Sequence, residues 1–153
     1  MMSILPRGLP RSPTTALHTE PRFTQLAALC WRKGEKGREV VLVTSSSGRW
    51  ILPKGWPIGG MTPGEAALTE AWEEAGVTRG KVSREPVGSY IAIKRTPAGD
   101  DVPCRHVVYA IKVRETVDAF PEAGRRDRIW TPPEAAARMV DEDGLREILL
   151  RFR

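Results

Sequence analysis

Short apolar runs, separated by polar turns that contain glycine or proline, divide most of this chain into strand-like segments. The clearest run is EVVLVT at residues 39–44, where β-branched side chains are typical of a buried strand. Five other runs predict strands as well, and they cover residues 25–32, 49–52, 88–94, 106–113 and 128–130. We therefore expect the core of the protein to be built on a β-sheet.

One helix is predicted between the first three and the last three of these strands, and both of its ends are marked in the sequence. Thr62 provides an N-cap, Pro63 occupies the first helical position and Glu65 completes a capping box. Gly76 follows the last turn, where a left-handed residue commonly ends a helix. Two more helices are predicted over residues 133–140 and 143–151. This irregular order of strands and helices predicts a mixed α/β sheet protein and not a repeating βαβ array.

Length and composition agree with one globular domain. The chain has 153 residues, of which 41% are hydrophobic and 28% are charged. The domain is predicted at residues 23–153, and residues 1–22, which include four prolines, are predicted to form an extended arm. The arm lacks the apolar segment of a secretory signal, and its arginines leave a transit peptide as the alternative. No apolar run approaches the roughly 20 residues of a membrane-spanning helix, so no membrane partner is predicted.

The cysteines indicate the redox environment of the protein, and the net charge indicates the kind of partner it binds. Cys30 and Cys104 lie far apart without a CxxC spacing, which indicates neither a disulfide framework nor a zinc site. Both are predicted to be reduced, buried thiols of a cytoplasmic protein. Lys and Arg number 24 against 19 Asp and Glu, a formal net charge of +5. This excess favours an anionic partner, a phosphate compound or a nucleic acid.

The predicted helix carries an unusual concentration of negative charge. Glu70, Glu73 and Glu74 are spaced i, i+3 and i+4, which places their carboxylates on one face, where like charges repel. The small side chains of Ala67, Ala71 and their neighbours lie on another side and would pack on the sheet. Grouped carboxylates suit a hard divalent cation, Mg²⁺ above all. The alternative is an ordinary solvated acidic face.

The residues before the helix favour the cation. Gly55 ends a Pro-Lys-Gly turn, and Gly59-Gly60 leads into the helix, so the backbone can approach a ligand closely. Here the sequence resembles the Nudix hydrolases, whose signature spans 23 residues. The signature positions match without an insertion at Gly55, Glu70, Ala71, Glu73, Glu74, Gly76 and Val77. The resemblance covers roughly residues 23–153 and implies an α/β/α sandwich with a mixed β-sheet.

The same resemblance implies a chemistry. Mg²⁺ or Mn²⁺ would be held by Glu70, Glu73 and Glu74, with the backbone carbonyl of Lys54 as a further ligand. The ions would neutralise phosphate oxygens and activate a water that cleaves a phosphoric anhydride. By the same resemblance one of the three glutamates assists as general base.

Two signature positions differ from the family. Met61 stands where the family has Glu, and Thr69 stands where it has Arg. In the family these two residues brace the loop and orient the catalytic glutamates, so a repacked brace is expected here. The differences also keep open a rival interpretation, a non-catalytic module that binds a nucleotide, another phosphorylated ligand or RNA.

A narrower resemblance concerns the substrate. Ser45-Ser46-Ser47 before Arg49 and the segment at residues 124–130 look like the branch that hydrolyses diphosphoinositol polyphosphates and dinucleoside polyphosphates. Guanidinium groups bind phosphate oxygens in a bidentate manner, so basic side chains that converge on one cleft would suit a polyphosphate. The predicted phosphate-binding residues are Arg32, Arg49, Lys54, Arg105, Arg125 and Arg126, with Lys33, Lys94 and Arg95 as further basic positions. An anionic polyphosphate is thus the favoured partner and nucleic acid the less favoured one.

The remaining reactive side chains indicate no other chemistry. His18 and His106 are too far apart for a histidine metal site, and His106 is expected to be structural. No Gly-x-Ser-x-Gly motif is present, and the cysteines lie in or beside apolar strands, where inert thiols are expected. Trp56 is expected to be structural, with stacking on a base in the pocket as the alternative.

Overall fold

In the computed structural model, which describes residues 21–153, eight strands and three helices follow one another along the chain. The strands are β1 Phe23–Gly34, β2 Gly37–Thr44, β3 Trp50–Ile51, β4 Lys54–Gly55, β5 Val77–Val82, β6 Gly88–Arg95, β7 Asp101–Thr116 and β8 Arg128–Thr131. The helices are α1 Pro63–Ala75, α2 Pro133–Met139 and α3 Asp143–Phe152. The predicted domain, residues 23–153, lies entirely within this range, whereas residues 1–20 of the predicted arm lie outside the described residues.

The strands form one mixed sheet. Its central path runs β3-β2-β1-β7-β5, while β4 pairs with β1, β6 with β7 and β8 with β2. The pair β1 and β7 is parallel, with Ala27 opposite Val108, and the other pairs are antiparallel. The long strand β7 therefore joins the two antiparallel parts of the sheet, because β6 and β5 pair with its first and second halves.

Helices cover both faces of the sheet, which confirms the predicted α/β/α sandwich. The side chains of β1 alternate: Ala27 and Leu29 pack in the core under α2 and α3, and Leu26 and Ala28 pack under α1. Strand β2 divides in the same way between its even and odd positions. Because both faces of these strands are buried, their sequences read as continuous apolar runs and not as an alternation.

Two strands were not predicted, and one begins earlier than predicted. Strand β5 is polar and mostly exposed apart from Val77, so its sequence lacks a strand pattern. Strand β4 replaces the predicted Pro-Lys-Gly turn, since Lys54 and Gly55 pair with β1. Strand β7 begins at Asp101 and not at residue 106, because its first residues pair with β6 along an exposed edge. Within residues 21–153, no helix combines the length and the apolar character needed to cross a membrane.

Candidate active site

Helix α1 is fixed at both ends by the residues that the sequence marks. The Glu65 backbone N–H donates to Thr62 Oγ1 at 3.2 Å, and the Thr62 N–H donates to Glu65 Oε1 at 2.8 Å. These two bonds form the predicted capping box. At the other end Gly76 adopts φ +75°, and a Cβ there would meet the Phe120 ring and the Arg128 guanidinium. The helix therefore starts and stops at defined residues, which sets the orientation of its acidic face.

The opposite side of α1 packs on the sheet through small residues. Ala67, Ala71 and Ala75 are fully buried in the core under α1, as the sequence predicts. With alanines at the contact, the helix backbone lies close to strands β1 and β4. This close approach brings two of the three predicted metal-binding glutamates, Glu70 and Glu74, against strand β4.

Glu70 lies directly against β4. Its carboxyl group occupies the position that a Cβ on Gly55 would take, so any side chain at this signature position would displace the Glu70 carboxyl group. Burial, together with repulsion from Glu74 and Glu73, raises the pKa of Glu70 to about 7. The acidic face thus contains more negative charge than the protein itself compensates.

Glu74 is the most buried of the three and links the helix to its surroundings. One carboxylate oxygen accepts a hydrogen bond from the Lys54 backbone N–H at 3.3 Å, and the other lies 3.3 Å from Arg126 Nη2. Burial raises the pKa of Glu74 although Arg126 and Lys54 act in the opposite direction. The position of this carboxylate is therefore set by a strand amide on one side and a guanidinium on the other.

A fourth carboxylate, Glu122, lies beside the acidic face and was not predicted. Its backbone N–H donates to the Glu73 carbonyl at 3.0 Å, and its Oε1 lies 2.6 Å from Arg126 Nε. Its negative charge contributes to the raised pKa of both Glu70 and Glu74. Glu122 belongs to the loop between β7 and β8, and no local motif in the sequence connects it with the helix.

The donor set of the acidic face fits a hard divalent cation. Across residues 21–153 no group of three or more His, Cys, Asp or Glu side chains is already arranged to hold a metal ion. The glutamates nevertheless supply only oxygen donors, which Mg²⁺ and Mn²⁺ prefer. Burial and mutual repulsion, which both raise the pKa of Glu70, disfavour the charged carboxylates, and a bound cation would offset both effects.

A polar cleft of about 670 Å³ adjoins the acidic face. It lies between the β2–β3 turn, β4, β6 and the loop before β8. Five cationic side chains line it, namely Arg49, Lys54, Lys94, Arg95 and Arg126. Two carboxylates in the lining pair with members of this set, Glu142 with Arg49 at 3.3 Å and Asp101 with Arg95 at 3.2 Å. Because Lys54 and Arg126 contact Glu74 as well, the cationic cleft and the acidic face share a border.

The structure separates the six predicted phosphate-binding residues into two groups. Arg49, Lys54 and Arg126 line the cleft. The other three lie outside its lining. Arg32 pairs with Glu39 and stacks on the Trp130 ring, and Arg105 donates to Ser89. Arg125 is 76% exposed, with its guanidinium 3.9 Å from Glu122. Arg125 and Arg126 are adjacent in the sequence, yet their side chains lie in different surroundings.

The two residues that differ from the Nudix signature touch each other. Thr69 Oγ1 lies 3.5 Å from Met61 Sδ, and it also donates to the Glu65 carbonyl at 3.0 Å. The geometry agrees with the expected repacked brace, in which a hydroxyl–sulfur contact stands in place of an ion pair. The Met61 sulfur is a weak hydrogen-bond acceptor, so it restrains the loop before α1 less strongly than a carboxylate would.

The other reactive side chains lie where their predicted structural roles place them. Cys30 is fully buried, and burial raises the pKa of its thiol to about 12, so it is a poor nucleophile. Cys104 is buried and free as well. Trp56 is 45% exposed outside the cleft lining, and its ring meets Phe23 edge-on and the Lys94 ammonium at 5.2 Å.

Comparison with known proteins extends this description to a family. The NUDIX domain family model matches residues 23–152. Nudix hydrolase 16, mitochondrial, of Arabidopsis thaliana is 33% identical over 116 residues, which cover 73% of this chain and 63% of that protein. Human diphosphoinositol polyphosphate phosphohydrolase 3-alpha is 35% identical over 119 residues, which cover 74% of this chain and 66% of that protein. The chain thus matches somewhat less than two thirds of the length of each relative.

Solved structures share the fold. A Caenorhabditis elegans Ap4A hydrolase superposes with a TM-score of 0.63 at 19% identity, covering 85% of this chain and 94% of that one. An Escherichia coli dihydroneopterin triphosphate pyrophosphohydrolase gives 0.64 at 16% identity, covering 86% and 95%. At these identities the likeness concerns the fold alone.

Proposed function

The chain belongs to the NUDIX family, and on that premise we propose that it is a divalent-metal-dependent hydrolase of phosphoric anhydrides. The observation that carries the proposal is the border between two opposite charges. The acidic face of α1 meets the cationic cleft at Glu74, which contacts both Arg126 and the Lys54 N–H. A substrate with a phosphate chain in the cleft would have its anhydride next to the carboxylates.

Each group at this border has a proposed task. Glu70, Glu73 and Glu74 hold Mg²⁺ or Mn²⁺, with the Lys54 carbonyl as a further ligand and Glu122 close enough to influence the same charge. When bound, the cation supplies charge neutralisation at the phosphate oxygens and lowers the pKa of an attacking water. One of the three glutamates accepts the proton of that water.

The cleft residues bind the phosphates. Arg49, Lys54 and Arg126 offer donors from three different elements, so they can contact successive phosphates of a chain. Dinucleoside polyphosphates or diphosphoinositol polyphosphates are the favoured substrates. Support comes from the relative named as a diphosphoinositol polyphosphate phosphohydrolase and from the serine and arginine segment at residues 45–49.

The proposal is tested by following turnover of a substrate panel with the full chain. The panel contains diadenosine tetraphosphate, a diphosphoinositol polyphosphate, ADP-ribose and ATP, each with Mg²⁺, with Mn²⁺ and with EDTA. We expect turnover that requires the metal and that is fastest for one of the first two compounds. Absence of turnover with every compound would overturn the enzymatic proposal, and a preference for ADP-ribose would overturn the substrate class alone.

A second candidate is a module that binds its phosphorylated ligand without cleaving it. The observation that favours it is the Met61–Thr69 contact, because this weak contact holds the loop before α1 less firmly than the family's ion pair would. This candidate predicts tight binding of a panel compound together with no product after prolonged incubation with Mn²⁺.

The cellular compartment belongs to the proposal as well. We place the protein in the cytoplasm, because Cys30 and Cys104 are both free thiols, which suits a reducing compartment. The Arabidopsis relative is named as mitochondrial, so imaging of the tagged full chain in its native cell is the relevant test.

A further inference from the structure

The floor of the cationic cleft is built from two polar side chains that carry no charge. Gln25 of β1 and His106 of β7 are both 4% exposed, and they stand side by side because the two strands pair in parallel with these residues opposite each other. Both line the cleft. Neither residue was singled out as part of a site by its sequence context.

The hydrogen-bonding capacity of this floor is largely unused. His106 Nδ1 is 3.0 Å from the Tyr90 hydroxyl, but the other ring nitrogen and the Gln25 side-chain amide have no partner among residues 21–153. In the same part of the chain, no fully buried side-chain nitrogen or oxygen lacks a partner. The unpaired atoms of Gln25 and His106 are therefore accessible, and the cleft is the space that both residues line.

The floor stays neutral at physiological pH. Burial, reinforced by the nearby Lys54 and Lys94 ammonium groups, lowers the pKa of His106 to about 4. The amide of Gln25 has both donors and an acceptor, and the neutral imidazole adds one donor or one acceptor. Tyr90 and Ile93 add partly apolar surface beside the floor. The cationic side chains of the cleft thus attract anions, whereas Gln25 and His106 at its floor offer uncharged hydrogen-bonding groups.

We propose that Gln25 and His106 recognise the nucleoside part of a nucleotide substrate and select it against an inositol polyphosphate. This inference rests on the proposed function and narrows its substrate class. A nucleoside presents uncharged donors and acceptors on its base and ribose, which match the floor. An inositol polyphosphate presents phosphates around its ring, and a phosphate placed on the floor meets the uncharged groups of Gln25 and His106, which replace its lost hydration less well than a direct cation partner would.

The experiment compares ligands that share their phosphates and differ in the rest. Binding of ATP, inorganic triphosphate and inositol hexakisphosphate is measured by titration calorimetry in EDTA, with wild type and Gln25→Met. We expect the variant to bind ATP about 10-fold more weakly, as the loss of one to two hydrogen bonds implies, and inorganic triphosphate within 2-fold of wild type. Methionine keeps the length of the side chain, and thermal melting checks the fold. Gln25→Asn, which withdraws the amide by one methylene, serves if the first variant is unstable.

Three results would overturn the inference: unchanged ATP affinity, an equal loss for ATP and inorganic triphosphate, or an equal loss for ATP and inositol hexakisphosphate. Because these titrations need no metal and no turnover, their outcome is separate from that of the hydrolysis panel. A chain that hydrolyses nothing yet shows the ATP-specific loss would sink the enzymatic proposal and leave the nucleoside floor standing.

Discussion

The acidic face and the cationic cleft are neighbours that differ in how they are built and how their charge is compensated. The three carboxylates of the acidic face come from a single stretch of helix, and they repel one another. The five cations of the cleft come from four separate segments, and several already have a carboxylate partner. The acidic face therefore has an excess of negative charge that a bound cation would compensate, whereas part of the positive charge of the cleft is already paired with carboxylates.

This difference suggests separate effects on function. Changing Glu73, which forms no ion pair within residues 21–153, removes a proposed ligand and relieves repulsion, so activity is expected to fall without a loss of stability. Changing a cation of the cleft breaks pairs that also hold loops together, so binding and stability change together. Arg126 and Lys54 belong to both regions through Glu74.

The largest effect is expected from a substitution in the acidic face alone. Glu73→Gln should lower kcat by about three orders of magnitude, because it removes a proposed metal ligand. The melting temperature without metal should stay equal or rise slightly, since one repulsive charge is lost. Glu74→Gln should act in the same direction on activity.

A matched control lies on the same helix. Glu65→Gln makes the identical chemical change at an exposed position, and glutamine can still accept the capping hydrogen bond from the Thr62 N–H. Activity near that of wild type is expected. If Glu65→Gln and Glu73→Gln were equally active with Mg²⁺ present, the acidic face would have no catalytic role.

The second prediction concerns the cleft and uses adjacent arginines. Arg126 is 17% exposed and donates to the Thr44 carbonyl at 2.7 Å in addition to its two glutamate partners. Arg126→Ala should lower kcat/KM by roughly 10- to 100-fold and destabilise the fold by on the order of 3 kcal/mol. Arg125→Ala, at an exposed side chain, should change both by little. Steady-state kinetics and chemical denaturation measure the two quantities. Similar losses for both variants would support the prediction from the sequence that Arg125 and Arg126 both bind phosphate.

The third prediction tests the neutral floor through pH. His106 has a folded-state pKa of about 4, below its value in the unfolded chain. Between about pH 6.5 and 4 the unfolded chain therefore binds more protons, and stability falls as the pH is lowered through this window. The upper bound on this contribution is about 3 kcal/mol. Denaturation of wild type and His106→Gln at pH 4.5 and 7 should show a smaller pH-dependent loss in the variant. Identical losses would mean that His106 is not held neutral.

The smallest effect concerns the contact between Met61 and Thr69. Thr69→Arg alone adds a cation without its family partner and should lower kcat/KM several-fold. Met61→Glu combined with Thr69→Arg should recover part of that loss, with a coupling on the order of 1 kcal/mol in a double-mutant cycle. Strict additivity would show that the two positions do not act as a pair in this protein.

Features encoded within a short stretch were predictable from the sequence. The capping box of Thr62 and Glu65, the end at Gly76 and the shared face of the glutamates depend on helical spacing alone. The buried strands β1 and β2 were predictable because burial on both faces leaves continuous apolar runs.

Features that depend on tertiary packing were not predictable. Strand β5 is held by pairing with β7 and has little apolar character of its own. Glu122 reaches the acidic face through a loop, and its sequence neighbours give no sign of this contact. The basic residues all looked alike in the sequence, yet only the folded sheet separates Arg49 and Arg126 in the cleft from Arg32 on the Trp130 ring.

The central claim is that the carboxylates of α1 hold the cation that drives hydrolysis. The most direct test titrates Mn²⁺ into wild type and Glu74→Gln by calorimetry and follows turnover of diadenosine tetraphosphate in the same samples. The account predicts that the variant binds Mn²⁺ at least 10-fold more weakly and loses turnover in parallel. Equal Mn²⁺ affinity and equal turnover in the two proteins would contradict it.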